Sequence, residues 1–350
     1  MVRICRRWQR EEYGTEKMNR CEVNNDMIIS VNKLVKEYKV RKKSGGFKGL
    51  FNPGSDIIRA VDGITFQVET GEMLGLIGPN GAGKSTTIKM LTSILTPTSG
   101  SINIGGFEPS KDRKAYVRNI GVMFGQKTQL WWDLPLEDSF YLLKDMYQVN
   151  DKKFKHNMEL FQDVLGIGEF LHQPVRQLSL GQRVRGDLAA VLLHDPSVVF
   201  LDEPTLGLDF VVKKRIREFL REVNQQRKTT LILTSHDIAD IESVCQKVII
   251  INKGKIAYTG ALESLRENFG KTRRLDIAFG GEYPDFEING AKLVSSGGNK
   301  KSYVFENGVS PSALIVEAGK EHEIANVSIA EPEIEEIISE IYRSGAGEAQ

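Results

Sequence analysis

Cysteine is nearly absent: Cys5, Cys21 and Cys245 are the only three in 350 residues, and their spacing is neither paired nor that of a metal site. This excludes a disulfide-stapled secreted fold and a zinc module, and it fits free thiols in a reducing cytosol. Long apolar runs are missing too, since no stretch approaches the roughly 18 residues that a membrane-spanning helix requires. The opening segment, Met1-Val2-Arg3-Ile4-Cys5-Arg6-Arg7-Trp8, is basic but lacks the apolar stretch of a secretory leader, so export of the chain itself is not expected. Net charge is small, +1 at pH 7, although residues 1–60 lean basic and residues 271–350 lean acidic. What is present, 40% apolar content over 350 residues, suffices for one large domain and a small one.

The most informative stretch is Gly78-Pro79-Asn80-Gly81-Ala82-Gly83-Lys84-Ser85, followed by Thr86. It is a phosphate-binding loop. The glycines let the backbone wrap so that successive N–H groups face phosphate, Lys84 reaches the β and γ oxygens, and Ser85 can ligate Mg²⁺. The apolar run Met73-Leu74-Gly75-Leu76-Ile77 before it reads as a buried strand. Residues 86–95 after it carry apolar positions at helical spacing, so the loop opens a helix whose dipole favours anions. The chain is therefore expected to bind a nucleoside triphosphate.

Residues 1–27 are polar without a hydrophobic period and read as a flexible extension, with Met18 and Met27 as alternative translation starts. Residues 28–40 alternate as a strand and 61–68 read as a second. Between them, the basic insertion over 41–57, with Phe47 and Phe51, is expected to be a solvated loop, contact with anionic lipid or a partner being the alternative. A helical region over 136–171, periodic at Leu143, Met158, Phe161 and Leu165, should form a separate lobe. Buried strands at 198–201 and 230–234 flank an amphipathic helix over 211–226, the pattern of a right-handed α/β sheet with nucleotide at the carboxyl ends of its strands. After Gly270, short strand-like pieces alternate with turns at Gly280-Gly281, Asn289-Gly290 and Gly297-Gly298 and close with a helix near 331–342. That is a small α+β appendix.

Four apolar residues lead into Asp202-Glu203. An aspartate ending a buried strand near the loop can hold Mg²⁺ through water, and the next carboxylate can orient or deprotonate the attacking water. Leu178-Ser179-Leu180-Gly181-Gln182, before a helical run over 183–193, puts a hydroxyl and backbone N–H groups at a helix N-terminus, a second anion site. One chain cannot easily bring both anion sites to the same γ-phosphate. The simplest use is in trans, with two copies sandwiching two nucleotides head to tail.

The ordered set of phosphate loop, Gln126, the 178–182 motif, Asp202-Glu203, Gly207-Leu208-Asp209 and Thr234-Ser235-His236-Asp237 resembles the ATPase subunit of an ATP-binding-cassette (ABC) transporter over about residues 28–265. The resemblance implies an α/β fold. It has a P-loop NTPase core with an antiparallel β subdomain and a helical subdomain at about 127–195, beside the small C-terminal α+β domain at 271–343. It implies ATP and Mg²⁺, with Ser85, Gln126 and Asp202 on the metal. Tyr38 matches the aromatic that stacks on adenine, with Phe47 and Phe51 as competitors. Glu203 becomes the catalytic base, His236 the γ-phosphate switch, and Gln126 the link from nucleotide to helical lobe. Ser179, Gly181 and Gln182 would contact the nucleotide of the opposite copy, and Asp209 the opposite protomer. Leu180 stands where the family's signature usually has glycine, while Ser179, Gly181 and Gln182 are kept.

Gln129-Leu130-Trp131-Trp132-Asp133-Leu134-Pro135 follows Gln126, where the family docks its membrane partner, and at least one tryptophan is expected to be exposed there. The tail over 330–338 is similar to the end of exporter-type subunits with separate permease chains, which suggests dimer contacts or regulation, a stabilising appendix being the bland alternative. The expectation is thus a homodimeric Mg²⁺-dependent ATPase, cytoplasmic and peripheral on the inner face of the membrane. It would drive export through separate permease chains, with no nucleic-acid partner. The alternative is a soluble cassette ATPase acting in assembly, translation or on DNA. Lys84 and Leu178 lie too close in sequence for the long coiled coil of chromosome-maintenance ATPases, and a kinase would need an acceptor site that the motifs do not supply.

Overall fold

A long antiparallel hairpin, β1 (Met27–Arg41) with β2 (Ser55–Glu69), opens the part of the chain that the structure describes. The structure is a computed structural model and describes residues 27–41, 55–125, 127–270, 272–331 and 334–344. The expectations for residues 1–26, for residues 42–54 of the basic insertion, with Phe47 and Phe51, and for Gln126 fall outside these. The ends of the insertion, Arg41 and 55–57, are not loop but strand, because the hairpin ladder extends to the Arg41–Ser55 pair. One face of the hairpin carries Ile29 and Val31 with Ile64, Phe66 and Val68, all buried, as its alternation requires. The chain then enters β3 (Met73–Ile77), the glycine loop, α1 (Lys84–Leu91) and β4 (Ser99–Ile104), which returns to the other edge of β1 and completes a three-stranded antiparallel sheet. α1 is shorter than the periodicity over 86–95 predicts. The Thr92 hydroxyl turns back to the Ile88 carbonyl at 2.8 Å, and Ser93 takes φ 61°, which ends the helix.

The chain continues through α2 (Arg113–Val117), β5 (Ile120–Phe124), α3 (Leu136–Tyr147), α4 (Asp151–Leu165), α5 (Leu180–Leu192), β6 (Val198–Asp202), α6 (Phe210–Arg227), β7 (Thr230–Thr234), α7 (Ile238–Val244), β8 (Lys247–Asn252), β9 (Lys255–Ala261) and α8 (Leu262–Phe269). The central sheet has the order β5-β6-β7-β3-β8-β9, parallel except for β9 at its edge. The cores of its parallel strands are apolar because both faces are covered, whereas the edge strand β9 exposes Lys255 and Thr259. Val198, Phe200 and Ile232 join Ile88, Tyr116 and the antiparallel sheet in one core, whereas Val199, Leu201 and Leu233 join the helices in another.

Register gives this sheet its functional edge. Phe124 pairs with Asp202, Asp202 with Thr234, Thr234 with Leu76, and Leu76 with Ile249, so the parallel strands end in one row. The segments that begin just beyond this row carry the phosphate loop, Glu203 and His236.

The helical region predicted over 136–171 is broken. Gln148 adopts φ 56° at the end of α3, and the Asn150 side chain accepts from Lys153 N at 2.8 Å to cap α4. These helices and α5 share one core with the face of the central sheet they cover rather than having a core of their own.

Beyond Gly270, β10 (Thr272–Phe279), β11 (Ala291–Gly297), β12 (Lys300–Glu306) and β13 (Ile324–Ala330) form an antiparallel sheet of order β11-β12-β10-β13, with α9 (Pro311–Ala318) packed on one face. The last helix, α10 (Ile334–Ser344), does not join it. Ile334, Ile337, Ile338 and Ile341 are buried in the large core beside Leu262 and Leu265 of α8, and Asn252 Nδ2 donates to the Tyr342 carbonyl at 3.3 Å. No helix among the described residues is long and apolar enough to cross a membrane.

Candidate functional site

The phosphate loop is held by backbone, and this is why its glycines are needed. A Cβ on Gly78 would lie 2.4 Å from the Ile251 carbonyl oxygen, and one on Gly83, at φ 112°, would lie 2.5 Å from that of Ala60. Gly254 N donates to the Ala82 carbonyl at 2.9 Å, so β2 and the β8–β9 turn brace the loop from behind. Pro79, Asn80, Gly81 and Ser85 are exposed, Thr86 half-buried, and Ala82 and Lys84 buried. The Lys84 ammonium donates to the carbonyls of Gly78, at 2.5 Å, and Pro79, at 3.2 Å. Burial pulls its pKa below the usual lysine value, while the carboxylates of Glu203 and Asp202 act the other way. No side chain caps α1, so its first-turn N–H groups face outward beside this cation.

At the neighbouring strand ends, the Thr234 hydroxyl donates to Asp202 Oδ1 at 2.6 Å and accepts from Glu203 N at 3.1 Å. Glu203 N also donates to the Thr234 carbonyl at 3.1 Å. Glu203 takes φ 55°, a left-handed conformation that costs a non-glycine residue on the order of 1 kcal/mol. His236 Nε2 lies 2.7 Å from Glu203 Oε1 and, when it carries the proton, donates to that oxygen. Lys84, Asp202, Glu203 and His236 thus converge on one edge of the sheet. Tyr38 lies on the hairpin, where it pairs with Ile58, is exposed, and has the Lys36 ammonium 5.6 Å from its ring centre.

The second predicted anion site lies elsewhere. Ser179 N-caps α5 in a capping box: Gln182 N donates to Ser179 Oγ at 3.2 Å and Ser179 N to Gln182 Oε1 at 2.8 Å. Gly181 packs toward Val212, where an added Cβ would sit 3.5 Å away. Among the described residues no hydrogen bond joins Ser179, Gly181 or Gln182 to the phosphate loop. Asp209 is exposed, caps α6 by accepting from Val212 N at 2.9 Å, and is flanked by Phe210, 73% exposed, and Val211, 69% exposed. Trp131 and Trp132 are 37% and 48% exposed, with the Arg183 guanidinium 5.6 Å from the Trp132 ring centre.

Sequence reasoning missed the work of Thr234, which joins the acid strand to the switch strand. Its signal was a hydroxyl at the carboxyl end of a strand that is aliphatic over 231–233. It also missed buried Asp187 on α5, which accepts from the Thr128 hydroxyl at 2.8 Å and Gln129 N at 3.1 Å and so ties the segment after Gln126 to α5.

The family model described as ABC transporter matches residues 61–206. Among curated proteins, the chain is 33% identical over 218 residues to the ABC transporter ATP-binding protein NatA of Bacillus subtilis, covering 62% of this chain and 88% of that one. It is 30% identical over 235 residues to the linearmycin resistance ATP-binding protein LnrL of the same organism, covering 67% and 73%. Among solved structures it resembles cbiO1 from Clostridium perfringens, described as part of the ABC transporter complex cbiONQ, with a TM-score of 0.57 and 25% identity, covering 70% of this chain and 95% of that one.

Proposed function

The chain belongs to the family of ABC transporter ATP-binding proteins, and from that membership we propose that it pairs with a second copy around two ATP molecules and drives export through separate permease chains. It is an ATPase. The observation that carries the assignment of roles is the shared strand-end row, which gathers the phosphate loop, Asp202, Glu203 and His236 at one edge. Lys84 turns from loop carbonyls to the β and γ oxygens, and the first-turn N–H groups of α1 hold the remaining phosphate charge. Glu203 orients and deprotonates the water that attacks the γ-phosphorus, while His236 keeps that carboxylate in place and reads the γ-phosphate. Ser85 and Asp202 offer a hydroxyl and a carboxylate to Mg²⁺, a donor set suited to an ion that keeps its waters and phosphate ligands. That ion would neutralise charge developing on the phosphates. Tyr38 stacks on adenine, and Gln126 relays nucleotide state toward the helices.

Separation of the two anion sites on one chain supports completion of each by the partner copy, whose Ser179, Gly181 and Gln182 would face the γ-phosphate. Exposed Asp209, Phe210 and Val211 offer a surface for that copy to cover. Exposed Trp131 and Trp132 support permease docking at the helical lobe, which would hold the chain on the cytoplasmic face of a membrane. The likeness to a protein named for linearmycin resistance supports outward transport. The sheet at 272–330 serves as a regulatory or dimerising accessory domain.

Glu203→Gln tests the reading. Steady-state turnover should fall by about a hundredfold or more, with ATP affinity kept within a fewfold and a dimer accumulating on ATP addition in gel filtration. Turnover close to the parent's would remove Glu203 from the role of base.

A further inference from the structure

Beneath the Glu203–His236 pair lies Asp240, a carboxylate on α7 that is 1% exposed. Burying a carboxylate costs several kcal/mol unless donors replace its water. Here they come from three separate segments. The Thr205 hydroxyl and the Ser235 hydroxyl, the latter at 3.0 Å, both donate to Oδ2, and Arg217 Nε donates to Oδ1 at 2.6 Å from the face of α6. Thr205 stands two residues after Glu203, and Ser235 immediately precedes His236. The two donors therefore belong to the two loops that the 2.7 Å Glu203–His236 contact joins on the other side. The result is a closed circuit: Glu203, Thr205, Asp240, Ser235, His236 and back to Glu203. Arg217 adds a third element, the helix α6 that begins at the Asp209 cap. Beside it, Lys213 bonds Asp237 at 2.6 Å, and Asp237 N donates to Ser235 Oγ at 3.0 Å.

We infer that Asp240 is a positioning residue for ATP hydrolysis: one buried carboxylate sets the loop bearing Glu203 and the loop bearing His236 in mutual register, and links both to the helix that Asp209 opens. A role limited to packing does not need this arrangement, since well-packed apolar residues often replace buried ion pairs without loss of stability. Nor would packing require hydroxyls in both loops. Glu203 holds a left-handed backbone that the surrounding contacts must enforce. Thr205 anchors the chain two residues beyond it, and two further turns, Leu206 N to the Glu203 carbonyl at 3.3 Å and Leu208 N to that of Thr205 at 3.2 Å, carry that anchor along the loop. Among the described residues no hydrogen bond joins the phosphate loop to Thr205, Asp240 or Ser235, so Asp240 acts on the chemical step and not on nucleotide capture.

The inference rests on the roles proposed for Glu203 and His236, and its test separates the two. In the full chain, Thr205→Val keeps the side-chain volume and removes one donor. It should lower kcat by roughly ten- to a hundredfold, with the KM for ATP within about twofold of the parent. Thr205→Ser restores the hydroxyl and should recover most of kcat. Asp240→Asn should behave as Thr205→Val does, and amide hydrogen exchange should quicken in residues 203–209 and 235–237 while α1 keeps its protection. Parental kcat in Thr205→Val, a change in KM alone, or quickened exchange confined to α7 would overturn the inference. Parental turnover in Glu203→Gln would instead overturn the assigned base.

Discussion

At the scale of single residues, Asp187 makes a measurable claim. Burial pushes its carboxyl from 3.8 up to about 6, against the opposing pull of its bonds from Thr128 and Gln129. A raised folded value means that its stabilising contribution is complete below the unfolded pKa and is lost as pH rises through about 6. At about 1.4 kcal/mol per pKa unit, the ionised group costs on the order of 3 kcal/mol at neutral pH. Asp187→Asn keeps an acceptor for both donors and cannot ionise. Its melting temperature relative to the parent's should therefore climb between pH 4 and 7 and then level off, which thermal unfolding across a buffer series reads directly. A constant offset would contradict it. Little of this was legible in the sequence. Asp187 stands out as a charge among Val184, Leu188 and Val191, but which donors await it depends on the packing of the segment after Gln126. Glycines of the phosphate loop are the opposite case, because their spacing already encodes the close approach of Ile251 and Ala60 that makes them necessary.

Elements were legible where their period is strong. The aliphatic runs that became β3, β6 and β7 read as strands because runs of five residues bounded by loop signals are too short for a buried helix and suit a strand covered on both faces. The amphipathic period of α10 could likewise be read, but not what it packs against, because an apolar stripe does not name its partner. Its four isoleucines lie against α8 and not against the sheet that precedes them. Ile338→Asp places a carboxylate in that contact and should cost about 3 kcal/mol or more. Thermal unfolding should show the loss in the transition of the nucleotide-binding core. If only a separate transition of residues 272–330 moved, α10 would belong to that sheet.

For the whole molecule, the proposed completion of each anion site by a second copy rests on motif order and on the lack, among the described residues, of any hydrogen bond between Ser179, Gly181 or Gln182 and the phosphate loop. The exposed tryptophans extend the same logic to a third chain. Trp131→Ala with Trp132→Ala should abolish co-purification of a multi-spanning membrane protein from detergent extracts and leave ATP affinity unchanged. Undiminished recovery of that protein would move docking elsewhere.

The return of α10 to the nucleotide-binding core also fixes an order of events during synthesis. Strands β3 to β8 and the helices around them leave the ribosome first, yet the apolar strip of α8 stays uncovered until α10 has emerged, after the whole of the intervening sheet. An early-made core thus waits on a late-made lid. A nascent chain stalled within residues 272–330 would expose that strip, making it a natural place for a holding chaperone and for aggregation when none is at hand.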